Sequence, residues 1–505
     1  MENRRPSWDL YSYLIFVAVV MLQISNWHRL PLFLDCYYHL SVMRGFADAG
    51  GWVGLSFWDY ASFGRPHLYP PLFHILELIV FKCGASPILV AKIFDVSIYP
   101  LFLVCFWFII RSIYSRQAAF FALLLSISSY PLYLSLVNNI PFTIALIFGF
   151  LSFYFIKKKR MLSAILMLAL SLYTHSLMSF VMIISIMLYG IFFSNDRKAC
   201  FWAVFWAILL ASPLICHQLK YLAFMHKIRV MEFYYAQINP SLYILAIFGL
   251  AIALKKKGEY LFFVALGIAI FVLFFTNRDR FFSGHGLIPA VFFAALCLEY
   301  FFKKVSDRKS KRGLFFFWAV IVGVFFVLTP LVVISPYKKS PTLFYNSWIV
   351  PAGDSTKDIY AEKGGTFYYP RLIDEAVRAV SQNSNQDDII FSNYNYGGGI
   401  ISVLSHRATS NAMLLEVLPF KDIDAISASS FVLWFKDPDG IFPLELKNAV
   451  RRYNLKKVTE TELVYLYANE GCTFKKKVIQ AKVPFGVCVL ILMGVFFVIF
   501  KEKIS

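Results

Sequence analysis

A dense run of carboxylate, imidazole and phenol side chains begins just beyond the first apolar segment of this chain. Leu34-Asp35-Cys36-Tyr37-Tyr38-His39-Leu40 is followed by Phe57-Trp58-Asp59-Tyr60, then by Arg65-Pro66-His67-Leu68-Tyr69-Pro70-Pro71-Leu72-Phe73-His74. An aspartate beside a low-dielectric surface is costly unless it is paired, hydrated or metal-bound. Asp35 and Asp59 therefore offer two carboxylates, with His39, His67, Tyr69 and His74 as polar neighbours. Such carboxylates take a proton from an attacking group or coordinate a hard divalent cation. The structural alternative is that Asp35 caps a helix starting at Cys36.

A second polar feature is Thr276-Asn277-Arg278-Asp279-Arg280-Phe281, with His285 close behind. Paired guanidinium donors suit phosphate oxygens, so Arg278 and Arg280 are candidates for a lipid phosphate. Headgroup contact or an ion pair with Asp279 is the other reading. His175 and His217 extend the polar set, or serve as satisfied structural histidines. Asn393-Tyr394-Asn395-Tyr396-Gly397-Gly398-Gly399 reads as a strand and a flexible turn, where a backbone can approach a ligand closely. No phosphate-loop lysine follows it. The chain lacks a Walker motif, a Rossmann fingerprint and HExxH.

The elements that must position these residues are membrane helices. Hydrophobic residues make up 59% of the 505, against about 45–50% in soluble domains, and 54 are phenylalanine. With a mean hydropathy of +0.63, the chain cannot hide its apolar surface in an aqueous core. Its net charge of +19 resembles that of a nucleic-acid binder, but the largest polar region, 336–478, holds 17 Lys and Arg against 16 Asp and Glu. The excess lies in short loops between apolar runs, which is the positive-inside pattern, and no nucleic-acid partner is expected. Eight cysteines are scattered without a CxxC pair, so neither a zinc site nor a disulfide framework is expected.

A bilayer core takes about 20 apolar residues per helix. Spans are expected at Leu10–Ser25, a retained anchor, then at 87–110, 117–135, 138–156, 161–174, 176–193, 198–216, 240–254, 259–276, 285–302, 313–335 and 480–500. Leu72–Phe81 is too short to cross and reads as an interfacial helix. Basic residues then fall on alternate loops: Arg111 and Arg116, Lys157 to Arg160, Arg197-Lys198, Lys255 to Lys257, Lys303 to Arg312, and Lys501 with Lys503. These twelve spans put both termini in the cytoplasm and the loop 27–86 outside. The organisation is a transmembrane unit (1–335), an external domain (336–478) and a last helix (479–505). The external domain reads as mixed α/β, with helical spacing over Leu372–Val380 and strands at Asp388–Ser392 and Leu463–Tyr467. A second helix is expected at Gly397–Leu404.

The motifs Asp35-Cys36-Tyr37-Tyr38-His39-Leu40 and His67-Leu68-Tyr69-Pro70-Pro71-Leu72, in this layout, resemble the GT-C class of membrane glycosyltransferases. Within it they look most like prokaryotic oligosaccharyltransferase catalytic subunits. The resemblance implies a polytopic α-helical fold with an external α/β domain. It also implies transfer of a saccharide from a polyprenyl-phosphate-linked donor to an external acceptor (protein, lipid or glycan) at a prokaryotic cell membrane. Asp35 would be the catalytic carboxylate, as base or as ligand to Mg2+ or Mn2+. Arg278 or Arg280 would meet the lipid phosphate. Asn393-Tyr394-Asn395-Tyr396-Gly397 lies where the class carries its acceptor-reading Trp-Trp-Asp-Tyr-Gly motif, with Asn395 in place of the aspartate. Asn138-Asn139 stands where a second acidic motif is expected. Alternative readings are a transporter or flippase of lipid-linked sugars, and an inactive relative acting as an assembly partner.

Overall fold

Serines, prolines and one histidine divide the apolar runs into helices. A computed structural model describes residues 7–25, 27, 35–138, 140–192, 195–225, 236–276, 280–308, 310–328, 330–334, 342–345, 370–411, 417–436 and 443–504. In chain order, α1 is Trp8–Ser25, α2 Asp35–Ala49, α3 Leu72–Lys82, α4 Pro87–Ile113, α5 Arg116–Ser128 and α6 Tyr130–Asn138. Then come α7 Ile140–Lys157, α8 Met161–Thr174, α9 Ser176–Phe192, α10 Arg197–Lys220, α11 Pro240–Lys256 and α12 Leu261–Thr276. The run closes with α13 Leu287–Asp307 and α14 Lys311–Val322, the latter continuing as a π-helical turn Gly323–Leu328.

Local chemistry sets these boundaries. Ser86 Oγ accepts from the Leu89 amide at 3.3 Å and Pro87 occupies the first turn of α4, a common helix start. Ser115, Asn239 and Ser310 cap α5, α11 and α14 in the same way. His175 is extended between α8 and α9, and its Nδ1 accepts the Met178 amide at 3.2 Å.

Among the described residues, five helices are long and apolar enough to cross a bilayer: Trp8–Ser25, Pro87–Ile113, Arg197–Lys220, Lys311–Leu328 and Phe485–Glu502. A sixth follows if Arg116–Ser128 and Tyr130–Val137 are one span bent by 86°. Shorter apolar helices accompany them at Pro141–Lys157, Met161–Thr174, Ser176–Phe192 and Gly258–Phe271. Large apolar side chains such as Phe315 and Leu209 are exposed on these helices, so the surface suits lipid and the protein is an integral membrane protein.

Three expectations are revised. The stretch 117–135 is broken at Ser129, whose backbone is extended ahead of Tyr130-Pro131; Pro131 has no amide to continue the ladder and its ring clashes with the carbonyl four residues back, so a new helix starts with the proline in its first turn. The span expected to run to 335 turns into a strand at Pro330. The helix at Leu72–Phe81 is confirmed as short, with 11 residues, but Leu72, Phe73, His74, Ile75, Glu77 and Leu78 are buried within the protein. It packs between α2, α4 and α8 rather than along a free surface.

Charged helix ends gather at one end of the bundle. Asp9 at the start of α1 receives Arg111 Nε and Nη2 at 2.9 and 2.8 Å from the end of α4. Lys157 at the end of α7 reaches Asp196 at 2.6 Å and Glu259 at 3.2 Å, ahead of α10 and α12. Ser115 donates to Glu299 near the end of α13. The starts of α1, α5, α10 and α12 thus lie with the ends of α4, α7 and α13.

The strands are short. β1 (Gly51–Trp52), β2 (Leu55–Ser56) and β3 (Arg65–Pro66) lie between α2 and α3, and β4 (Ala236–Ile238), β5 (Pro330–Ile334) and β6 (Thr342–Tyr345) form an antiparallel sheet. The C-terminal domain begins with α15 (Pro370–Asn383) and continues through β7 (Ile389–Ser392), α16 (Asn395–Leu404), β8 (Ala408–Thr409), β9 (Phe431–Phe435), α17 (Leu444–Tyr453), β10 (Lys456–Glu460) and β11 (Val464–Ala468). Its sheet runs β10-β11-β9-β7-β8, with β7 parallel to both β8 and β9. Finally β12 (Val483–Pro484) leads into α18 (Phe485–Ile504).

Candidate active site

α2 is the element on which the others converge. Its buried residues Cys36, Tyr37, Tyr38, Leu40, Val42, Met43 and Phe46 share one core with Ile75 and Leu78 of α3 and Val90 and Ala91 of α4. Ile373 of α15, Ile400 and Val403 of α16 and Cys488 of α18 complete that core. Gly45 faces Trp58 so closely that a Cβ would lie 2.0 Å from the ring. Asp35 is the first residue of α2 and half-buried. Its carboxylate therefore sits at the positive end of the helix dipole, which favours the charged form.

Beside α2 the histidines form an aromatic core. His39 Nδ1 and His74 Nε2 are 3.0 Å apart, and His74 is fully buried. The Tyr69 ring lies 5.4 Å from both His39 and His74 and 5.9 Å from His175. His67 packs on Phe46 and Trp58, and its carbonyl accepts His217 Nε2 at 3.0 Å. Burial, with the His175 charge, pulls the His39 imidazole down to about 3. Burial, with the charges of Arg65, His217 and His39, pulls His67 to about 3 as well. Both rings are neutral at physiological pH. They can hydrogen-bond and pack, and they add no positive charge.

Asp59 is engaged elsewhere. Arg65 Nη2 donates to its Oδ2 at 2.5 Å, while Nη1 donates to the Val417 carbonyl at 3.1 Å. The pair ties the chain around β2 and β3 to the C-terminal domain. Among the remaining candidates, Arg278 and Asn139 lie outside the described residues. Arg280 opens the π-helical turn Arg280–Gly284, and the side chains of Arg280, Asn138, Asn395 and Tyr396 also lie outside the described residues. Gly397 is in the first turn of α16, where a Cβ would come within 2.6 Å of the Phe435 ring and of Ser392 Oγ.

Two further acids are buried in helices that pack against α2. Glu77 of α3 is 2% exposed and Asp95 of α4 is 3% exposed. The charges of Asp95, Glu77 and Asp35 all act on the Cys36 thiol and, with burial, hold it well above the ordinary thiol range. Asp95 is visible in the sequence as a charge inside a span. Glu77 was missed, although an acid within the apolar run Leu72–Phe81 is itself a signal. Among the described residues no three His, Cys, Asp or Glu side chains are grouped so as to hold a metal ion.

No protein-family model matches the sequence, and no curated protein matches it. Solved structures do. The chain is similar to the oligosaccharyltransferase AglB from Archaeoglobus fulgidus, solved with an inhibitory peptide and a dolichol-phosphate, at 10% identity and a TM-score of 0.55. That likeness covers 91% of this chain and 74% of the other. The same archaeal enzyme solved with Zn and sulfate gives 11% identity, a TM-score of 0.56 and coverage of 90% and 73%. ArnT from Cupriavidus metallidurans bound to undecaprenyl phosphate is similar at 12% identity and a TM-score of 0.54, over 90% of this chain and 98% of that one. The chain has the GT-C fold of these structures.

Proposed function

We propose that this protein is a membrane glycosyltransferase that moves a saccharide from a polyprenyl-phosphate-linked donor to an acceptor outside a prokaryotic cell. The observation that carries the reading is Asp35 at the start of a buried α2, on a GT-C fold whose solved examples bind dolichol-phosphate and undecaprenyl phosphate. Twelve spans, cytoplasmic termini and an external 336–478 region complete the topology we favour, from the alternation of basic loops.

In this reading the acceptor's nucleophilic atom attacks the anomeric carbon from the face opposite the phosphate. The bond to phosphate oxygen breaks, the phosphate leaves with the electron pair, and Asp35 takes the acceptor's proton. Arg278 and Arg280 neutralise the leaving phosphate. His39, His67, Tyr69 and His74 shape the neutral wall of the pocket, and the Asp59–Arg65 pair holds that wall to the C-terminal domain. Tyr396 and Gly397 lie on the acceptor side. Asp35 is the residue that would hold a divalent cation such as Mg2+ or Mn2+ and so position the acceptor; among the described residues no three His, Cys, Asp or Glu side chains are grouped to hold one.

Purified wild type and Asp35→Ala, each in detergent with radiolabelled undecaprenyl-phosphate-linked saccharides, test the assignment. Loss of a general base costs about 10²–10⁴ in rate, so sugar release should fall by at least ~100-fold. Release by the variant at the wild-type rate sinks the role of Asp35. No release by either protein with any acceptor favours a transporter or an inactive assembly partner.

A further inference from the structure

The helix ends that carry the Asp9–Arg111 pair also frame a groove on the outer surface of the bundle. Its walls come from four helices: Trp8 and Tyr11 of α1, Phe120 of α5, Phe302 of α13, and Leu314 and Trp318 of α14. It measures about 530 Å³, and from Trp8 to Leu14 it runs about 9 Å along the α1 axis. Trp8 is at its centre, with its ring 5.0 Å from Phe302 and 5.2 Å from Phe120. Trp318 closes the far wall, 6.2 Å from Phe120. None of the described residues that line the groove is charged. It opens sideways, since Tyr11 and Leu14 are 45% and 58% exposed.

Surroundings and charge together say what covers it. Phe315 and Phe316, between Leu314 and Trp318, are exposed, so the mouth faces the acyl region of the bilayer. Tryptophan and tyrosine gather at the level of lipid headgroups, and Trp8 with Tyr11 sets the mouth at that level. The rim is cationic. Asp9, next to Trp8, already accepts two hydrogen bonds from Arg111 at 2.9 and 2.8 Å. Arg116, one turn before Phe120, places its Nε 3.7 Å from the same carboxylate with its side chain 68% exposed. Two guanidinium groups thus share one anion. Lys311 and Arg312, within a turn of Leu314, are exposed and make no ion pair among the described residues. Such donors match phosphate oxygens. An apolar slot with a cationic rim fits an amphiphile with an anionic head. The slot starts where α1 starts, while the Asp35 segment follows the end of that 18-residue helix, about 27 Å away.

We propose that this groove holds an acyl chain of an anionic phospholipid whose phosphate is met by Arg116, Lys311 and Arg312. The bound chain fills the space between α1 and α14 and so ties the first helix to the rest of the bundle. The site depends on the bilayer setting of the protein and not on the glycosyltransferase reading. Leu14→Trp, at an exposed position, fills the slot without entering the core. The triple variant Arg116→Gln, Lys311→Gln, Arg312→Gln removes the rim charge and leaves the slot open. Both keep the Asp9–Arg111 pair.

The test is equilibrium binding of radiolabelled phosphatidylglycerol, phosphatidylcholine and undecaprenyl phosphate to the detergent-purified full chain. Wild type should bind phosphatidylglycerol at least about tenfold more tightly than phosphatidylcholine. Its unfolding temperature should rise as phosphatidylglycerol is added. Leu14→Trp should bind phosphatidylglycerol at least about tenfold more weakly, because the acyl chain is shut out, and should lose that rise. The triple variant should bind phosphatidylglycerol no better than phosphatidylcholine. Without lipid, both variants should unfold at the wild-type temperature. Equal affinity of wild type for the two phospholipids overturns the site, as does a Leu14→Trp variant that binds phosphatidylglycerol like wild type. Tighter binding of undecaprenyl phosphate that Leu14→Trp abolishes gives the groove to the carrier. A dimer that Leu14→Trp dissociates gives it to a second copy of the chain, and either result overturns the proposal. Should Leu14→Trp unfold early, the triple variant decides, and an undiminished preference for phosphatidylglycerol in it overturns the site.

Discussion

The imidazoles of His39 and His67 show how one residue type can be read in two ways. In the linear chain they look like titrating groups on a polar loop. In the fold they are closed in by Phe46, Trp58, Tyr69 and Phe73, and burial brings each to about 3 from the ordinary 6.5. The unfolded chain binds protons at these rings below about pH 6.5 while the folded one does not. Stability is therefore complete above 6.5 and declines as pH falls from there toward 3. Thermal midpoints in detergent should drop between pH 7 and pH 5, with a shallower slope in His39→Gln and His67→Gln. Parallel slopes in wild type and both variants would remove the histidines from the explanation.

Helices approach one another here through missing side chains. A Cβ on Gly249 of α11 would lie 1.6 Å from the Phe293 carbonyl oxygen of α13. In a bilayer, small residues let backbones come this close, and dispersion over the contact replaces the hydrophobic drive that lipid cannot supply. Because the clash is with backbone, no rotamer relieves it. Gly249→Ala should force the helices apart at a cost on the order of 1–3 kcal/mol, seen as a lower unfolding temperature. Gly494→Ala on α18, where no atom lies within 4 Å of the added carbon, should leave that temperature within error. The 86° break at Ser129 belongs to the same scale. It carries Tyr133 to Gln23, which a straight helix over 117–135 would not do.

Across the whole molecule, the segment between α2 and α3 is stitched to the C-terminal domain. The Ala61 amide donates to the Thr409 carbonyl and the Thr409 amide to the Trp58 carbonyl, each at 2.9 Å, and β1 pairs with β12. Asp48 at the end of α2 receives His406 Nε2 at 2.8 Å and Lys476 Nζ at 2.6 Å. Burial pushes the Asp48 carboxyl up, but the hydrogen bonds and charges of His406 and Lys476 outweigh it and hold the group below 3.8. Its contribution to docking is present above that value and is lost as pH falls through the lower folded one. Asp48→Asn should loosen the domain at neutral pH. Amide exchange in α15 and α16 should rise several-fold, while α7 and α13 stay as protected as before.

Much of this protein follows from local composition. Apolar length places most of the described helices, and the periodicity of Leu372–Val380, Asp388–Ser392 and Leu463–Tyr467 reads as the helix and strands that α15, β7 and β11 form. Bilayer thickness and the charge rule act on short stretches, so a sequence carries them directly. The Asp35 segment is also legible, because acids and histidines stand out beside a membrane anchor. Tertiary structure alone decided what those polar groups meet. Asp59 closes on Arg65 and the histidines pack together as neutral rings, while Glu77 and Asp95 are buried in helices packed on α2. A buried polar side chain is defined by its partners. Those partners come from helices far apart in the chain, whose crossing depends on where glycine and proline let backbones meet or break.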